Sequence, residues 1–265
     1  MKTLLDSQGV NLKHQYKSLD KYKSRFSIYK NTIDGRDMHQ EVVEYVSSRF
    51  PHGVILDVGC GDGACLAALQ DQTEAKLIAV DITERNLPAE IEFFKGSAQD
   101  LSFIPDQSVD CILALFMMYH VPDQDKALKE FQRILKPAGE LIITTSGAGH
   151  AMRRNGFIHK ITYLLDIPHV KPFTAAFDNI KALEMLPKYF AINKHVKQNS
   201  KVHIDLENLD KYMASINSYS PQLYERQWAE KADEVIKPNI LKEIKLNGYF
   251  WEGVGRHMFV CSGAA

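Results

Sequence analysis

Long apolar runs are missing from this 265-residue sequence: nothing approaches the roughly 18 uninterrupted apolar residues that a membrane-crossing helix needs. The opening stretch, MKTLLDSQGVNLKHQ, has no apolar segment of signal-peptide length, so the expectation is a cytoplasmic chain with no membrane partner. Paired cysteines are missing too. Cys60, Cys65, Cys111 and Cys261 form no CxxC pair and no metal-ligand spacing. Cys60 within a glycine turn and Cys111 within an apolar run read as small buried side chains of a reducing compartment. Neither sign of charge is in excess: 32 basic residues face 33 acidic ones, for a net charge of -1 with no long run of either. That balance leaves no electrostatic footprint for a nucleic-acid partner, and the adjacent Arg153 and Arg154 read as a solvated surface. No internal repeat is evident, and 45% apolar residues exclude global disorder.

What is present alternates. Residues 11 to 30 mix Tyr16, Tyr22, Phe26 and Tyr29 with lysines and Arg25 at loosely helical spacing, which predicts a short helical arm. A second helix follows over 35–48, ended by Phe50-Pro51-His52-Gly53. The nearly unbroken apolar run Val54-Ile55-Leu56 suits a buried parallel strand. Further strands are expected over 76–80, 91–95, 109–117 and 140–145. Helices over 63–71 and 125–135 intervene, the second stopped by Pro137-Ala138-Gly139. Strand and helix at these intervals mean a parallel sheet with right-handed crossovers. Beyond Thr145 the rhythm changes to helical stretches broken by Pro168, Pro172 and Pro187. Strand character returns over 190–204 and 249–261, with helices over 206–216 and 230–246. The expected architecture is a doubly wound, seven-stranded, mostly parallel sheet whose last strand is antiparallel at or near an edge. It divides into a helical arm (1–48), an α/β core (49–146), a helical lid (147–190) and the rest of the core (191–265).

The chemistry concentrates in VILDVGCGDG, residues 54–63. A buried strand entering Gly59-x-Gly61-x-Gly63 brings backbone close to a ligand, because glycine lacks a Cβ and tolerates positive φ. The dinucleotide fingerprint places its third glycine three positions after the second, and here it comes after two, so a pyrophosphate cradle is not matched. Asp81, in LIAVDIT, ends the next strand where a carboxylate can accept both hydroxyls of a ribose. Asp57 either orients the turn or meets a ligand's amino group.

These segments, with GSAQDLSFIPDQSVDCILALFMMYHVPDQDKALKEFQRILKPAGELIITT in the same order, resemble the class I S-adenosylmethionine-dependent methyltransferases, in particular the small-molecule branch with a UbiE-like core. The resemblance covers about a third of the chain, from Val54 to Thr145. It implies S-adenosylmethionine as cofactor, with S-adenosylhomocysteine as product. It assigns Gly59, Cys60 and Gly61 to backbone contacts with the methionyl part, Asp81 to the ribose and Ile82 to the adenine. Leu115 takes a position whose backbone meets the methionyl moiety. At the end of the third strand the family places an acid followed by alanine. Here Ser97, Ala98 and Gln99 stand there, so the customary carboxylate is absent. In the N-terminal arm, Tyr16 and Arg25 are the residues that such arms offer to the methionyl carboxylate, and a guanidinium fork matches that group.

Methyl transfer needs a nucleophile in line with the methyl group, and a base only when the attacking atom carries a proton. His120, in FMMYHVPD after the fourth strand, is the candidate base, since imidazole titrates near physiological pH; a histidine that shapes the loop is the competing reading. Tyr119 and His39 are expected at the pocket, with His150, His159 and Tyr163 from the lid as substrate contacts. Histidines of the lid lack any compact pair such as HExxH, so no metal is expected. The expected acceptor is a small polar or aromatic metabolite carrying an O, N or C nucleophile. Methylation of RNA or protein is one alternative reading, and a non-catalytic scaffold is another. Monomer and homodimer stay equally open.

Overall fold

The computed structural model describes residue 28 and residues 37–170 and 173–263. Five strands form in succession: β1 (Val54–Val58), β2 (Lys76–Asp81), β3 (Glu92–Lys95), β4 (Val109–Leu115) and β5 (Leu135–Ser146). Two longer ones, β6 (Phe190–Ile204) and β7 (Phe250–Gly263), complete a seven-stranded sheet in the order β3-β2-β1-β4-β5-β7-β6. Pairs among β1 to β5 are parallel, whereas β7 runs antiparallel to both β5 and β6. The expected antiparallel last strand therefore lies one place in from the edge, and β6 is the edge. Strand order reverses between β1 and β4, and in an open α/β sheet a crevice opens at that point beyond the carboxyl ends of the strands.

Burial explains why β1 and β2 read as unbroken apolar runs: Ile55 to Val58 and Leu77 to Asp81 are covered on both faces. On one face Ile55, Leu77, Leu113 and Ile142 pack against Val42 and Val46 of helix α1 (Met38–Arg49) and Leu66 and Leu69 of α2 (Ala64–Gln70). On the other, Leu56, Val80, Ile112 and Ile143 meet Leu128, Phe131 and Ile134 of α3 (Gln124–Ile134). Asp123 caps α3 by accepting the Lys126 N–H. Ile28, the single described residue before Asp37, is buried in the α3-side core.

Two expectations are corrected here. β5 starts at Leu135, not at residue 140, because the chain is already extended where α3 ends. Pairing jumps from Val109↔Leu135 to Cys111↔Glu140, so the Pro137-Gly139 stretch bulges inside the strand, consistent with a proline that cannot donate to a ladder. The second correction concerns Arg153 and Arg154, which are not a solvated pair. Arg154 is buried, with Nη1 donating to Ser215 Oγ at 3.1 Å, and Arg153 makes a two-pronged ion pair with Glu243. Adjacent residues on a helix point in different directions, and both of these are drawn inward by acceptors on later elements.

Helices α4 (Met152–Leu164) and α5 (Asn179–Met185) lie between β5 and β6. Between β6 and β7 come α6 (Leu209–Asn217), α7 (Glu225–Lys231), a π-helical turn over Ala232–Ile236 and α8 (Lys237–Asn247). The last pair of β5 with β7 is Ser146↔Arg256, while residues 250 to 255 of β7 pair only with β6. The β6–β7 ribbon thus projects past the carboxyl end of β5, and α4 packs on it. No helix among the described residues is long and apolar enough to cross a membrane.

Candidate functional site

Gly59, Gly61 and Gly63 all adopt positive φ, at 76°, 61° and 76°, so the turn leaving β1 uses the freedom that only glycine has without strain. Two successive N–H groups, of Gly59 and Cys60, donate to the Val80 carbonyl at 2.7 and 3.2 Å and fasten the turn to the end of β2. A Cβ added at Gly59 would lie 2.9 Å from Met117 Cβ, so the turn also passes tightly against the segment that leaves β4. Sequence had offered the glycine spacing, and the backbone uses all of it.

Two carboxylates lie beneath this turn. Asp57 is 2% exposed, and its buried Oδ1 has no hydrogen-bond partner. Burial, and then the charges of Asp81 and Asp62, push its pKa up to about 7. Asp81 is better supplied: Oδ2 accepts the Gly61 N–H at 3.1 Å, and Oδ1 accepts the Thr83 N–H at 2.8 Å and Arg85 Nη2 at 3.1 Å. Arg85 was not anticipated. The available signal was its place four residues after an acid, a spacing at which side chains meet in a turn of helix, but this stretch is irregular coil.

The remaining cofactor candidates are distributed around these groups. Ile82 is half-buried directly after Asp81, and Leu115 is half-buried at the end of β4. Ala98 is buried between Ser97, whose Oγ accepts the Gln99 N–H at 3.3 Å, and Gln99, whose Oε1 accepts the Asp123 N–H at 2.9 Å. The Gln99 carbonyl is therefore spent on tying this loop to the start of α3. Tyr16 and Arg25 lie outside the described residues.

Where β4 ends, Phe116 takes φ 52°, a left-handed conformation unusual for an aromatic residue. Its N–H is shared between the Thr144 carbonyl and Thr144 Oγ1, both at 3.1 Å, which pins the end of β4 to β5. Strained backbone of this sort clusters at functional sites. A 3₁₀ turn over Met118–His120 follows, in which Tyr119 is buried and His120 half-buried, their rings edge-to-face at 4.5 Å. His39 is half-buried in the first turn of α1, where its N–H donates to the Asp37 cap.

The candidates after β5 separate. His150 is buried, and burial together with the charges of Arg154 and Arg256 pushes its pKa down to about 3, so it stays neutral. His159, by contrast, stands exposed on α4 and meets His169, Nδ1 to Nδ1, at 3.0 Å. Tyr163 is 80% exposed on the same helix. Beside the end of β5 opens a cleft of about 390 Å³, lined by Gly147, Asn179, Lys201, Trp251, Gly255 and His257 among others, with no acidic side chain. His257 was not singled out in the sequence. It pairs with His195 at 2.8 Å, and burial and the neighbouring His195 and Lys197 push its pKa down to about 4.

The residues around the turn could hold a nucleoside cofactor whose amino-acid tail carries an ammonium group. An unpartnered buried carboxylate oxygen, a three-glycine cradle and a second carboxylate at the neighbouring strand end fit such a group. Among the described residues no three His, Cys, Asp or Glu side chains gather where a metal could bind.

The stretch that builds this turn also matches a known family. Residues 56–143 match the family described as "Methyltransferase domain". Over 83% of its length the chain is 20% identical to phosphoethanolamine N-methyltransferase 2 of Caenorhabditis elegans, spanning 53% of that protein. Over 34% of its length it is 35% identical to the demethylmenaquinone methyltransferase of Lactobacillus johnsonii, spanning 43% of it. The chain thus covers about half or less of the length of these relatives. Among solved structures, phosphoethanolamine N-methyltransferase 2 of Haemonchus contortus, bound to phosphomonomethylethanolamine and S-adenosylhomocysteine, superposes with a TM-score of 0.51 at 14% identity, covering 96% of this chain and 58% of that one. At that identity the likeness is one of fold.

Proposed function

The chain carries a class I S-adenosylmethionine-dependent methyltransferase domain, and from that premise we propose that it transfers a methyl group from S-adenosylmethionine to an O, N or C nucleophile of a small polar or aromatic metabolite. The observation that carries this reading is the buried Asp57 oxygen without a partner under the Gly59–Gly63 turn. S-adenosylmethionine, when bound, supplies a methyl group made electrophilic by its sulfonium.

The chain's own residues have the other tasks. Asp57 takes the amino group of the methionyl tail, whose positive charge favours the ionised carboxylate. Asp81 takes the ribose, Gly59 to Gly61 receive the tail along their backbone, Ile82 packs on the adenine, and the Leu115 backbone meets the methionyl part. His120 takes the proton of an acceptor that carries one, and Tyr119 walls the pocket. The acceptor is received against Tyr119 and His120 beyond the end of β4; the cleft lined by Gly147, Lys201 and His257 shares no residue with that place. The relatives named for phosphoethanolamine and demethylmenaquinone are consistent with acceptors of small size.

Incubating the protein with methyl-labelled S-adenosylmethionine and separate pools of small polar metabolites, phenolic metabolites, RNA and protein tests the reading. Label is expected in a small-molecule pool. Label confined to RNA or protein would reject the proposed acceptor class.

A further inference from the structure

Asp81 is nearly saturated with donors. Its two oxygens accept the N–H groups of Gly61 and Thr83 and the Nη2 of Arg85. An ionised carboxylate offers about four lone-pair sites, so about one is left, whereas a ribose diol brings two hydroxyl donors. We propose that Arg85 is a built-in competitor of the cofactor: it occupies on Asp81 Oδ1 the place that a ribose hydroxyl takes, and ligand entry requires the guanidinium to leave. The inference rests on reading Asp81 as the ribose residue.

The geometry makes the contact both firm and releasable. The side chains of Arg85 and Asp81 are 9% and 8% exposed, so the pair is held inside the site and is not a surface ion pair. Yet it uses one prong, not the parallel two that a guanidinium and a carboxylate can form. Arg85 Nε is buried without a partner, and so is Thr83 Oγ1. An unsatisfied buried donor penalises the closed arrangement, and swinging the guanidinium into water relieves it. The backbone permits that swing, because residues 84 to 88 form no regular structure. Leu87 anchors the segment beyond by packing, partly buried, against the core that holds α2.

Charge points the same way. Asp57, Asp62 and Asp81 cluster around the turn, and Arg85 offsets them. Without it, the acidic group faces an incoming cation uncompensated. S-adenosylmethionine carries the sulfonium charge that S-adenosylhomocysteine lacks, so the former gains more from removal of the arginine.

Calorimetric titration of the full chain with each ligand, in wild type, Arg85→Met and Arg85→Lys, tests the proposal. Methionine keeps an unbranched apolar stem, and a cooperative melt checks that the variants fold. Arg85→Met is expected to bind S-adenosylhomocysteine roughly tenfold more tightly, the size of one lost charge-assisted hydrogen bond, and S-adenosylmethionine more tightly still. Arg85→Lys, with a point charge in place of the fork, is expected to show a smaller gain in the same direction. Equal or weaker binding in the variants overturns the proposal and makes Arg85 a bystander or a ribose ligand. Absence of binding by folded wild type and variants alike overturns the cofactor reading, and this inference with it.

Discussion

Asp57 on β1 and Asp81 on β2 belong to adjacent parallel strands, and the charge of Asp81 helps to keep the Asp57 carboxyl protonated. The register pairs Asp57 with Ala79, which sets Asp81 two residues further toward the carboxyl ends, where the glycine turn crosses. Burial contributes most to the shift. One acid has its pKa raised to about 7 and the other is satisfied by three donors, so a cation reaching the turn would favour ionisation of the first.

The raised pKa of Asp57 fixes the sign of a pH dependence. Folded, the group keeps its proton to about pH 7, whereas unfolded it loses it near its ordinary value of about 4. Between those limits the folded state binds the extra proton, so stability contributed by this site falls as pH rises from about 4 to about 7. Asparagine carries no such proton. Asp57→Asn is therefore expected to gain roughly 1–3 kcal/mol on wild type between pH 4.5 and pH 8, read from urea denaturation at both values. A difference between the two proteins that does not vary with pH contradicts this.

Glu252 on β7 works as a cap for another element. Its Oε1 accepts the Arg153 N–H at 3.2 Å, and its Oε2 accepts the Arg154 N–H at 2.7 Å and the Tyr212 hydroxyl at 2.7 Å. The residue preceding α4 is Ala151, whose side chain cannot cap, so this carboxylate, 3% exposed, serves the helix from outside its own segment. Glu252→Ala leaves several buried donors unpaired and is expected to cost about 3–5 kcal/mol, lowering the melting temperature by many degrees. Glu252→Gln should recover part of that loss. A Glu252→Ala protein within about 1 kcal/mol of wild type would show that water replaces the cap.

Gly59 and Gly248 separate strain from contact. Both have positive φ, 76° and 84°, but a Cβ at Gly59 meets Met117 at 2.9 Å while one at Gly248 has nothing within 4 Å. Gly248→Ala is expected to cost about 1–2 kcal/mol from conformation alone. Gly59→Ala should cost more than that and should also weaken S-adenosylhomocysteine binding, which Gly248→Ala leaves unchanged. Equal costs at the two positions would mean that Met117 simply moves aside.

His120 is testable through the split between binding and turnover. Once an acceptor that carries a proton is identified, His120→Gln is expected to lower kcat by roughly 10²-fold or more while leaving S-adenosylhomocysteine affinity within about twofold. Turnover retained in the variant would make His120 a wall of the pocket.

What could be read from the sequence was local, and what could not was made by distant residues. VILDVGCGDG announced the glycine turn because three positive-φ positions within five residues constrain residue type whatever surrounds them. The parallel, doubly covered sheet followed from unbroken apolar runs alternating with helices, whereas the order of its strands is set by long-range pairing that no local run encodes. Arg85 escaped notice because its partner is chosen by how irregular coil folds back, which no periodicity encodes. Arg153 and Arg154 looked solvated until Glu243 and Ser215, far along the chain, supplied acceptors. Composition likewise gave the histidines and tyrosines after β5 no facing: His150 turns inward, while His159 and Tyr163 on α4 turn out. Phe116 carried no signal at all, since its left-handed backbone is imposed by Thr144.

Calorimetric titration of S-adenosylhomocysteine into wild-type protein and Asp81→Ala addresses the central claim most directly. Saturable binding at one site per chain, weakened by about a hundredfold in Asp81→Ala, is the predicted result, the size of two hydrogen bonds to a charged group. Absence of binding by folded wild-type protein, or equal affinity in the variant, contradicts the assignment of this site.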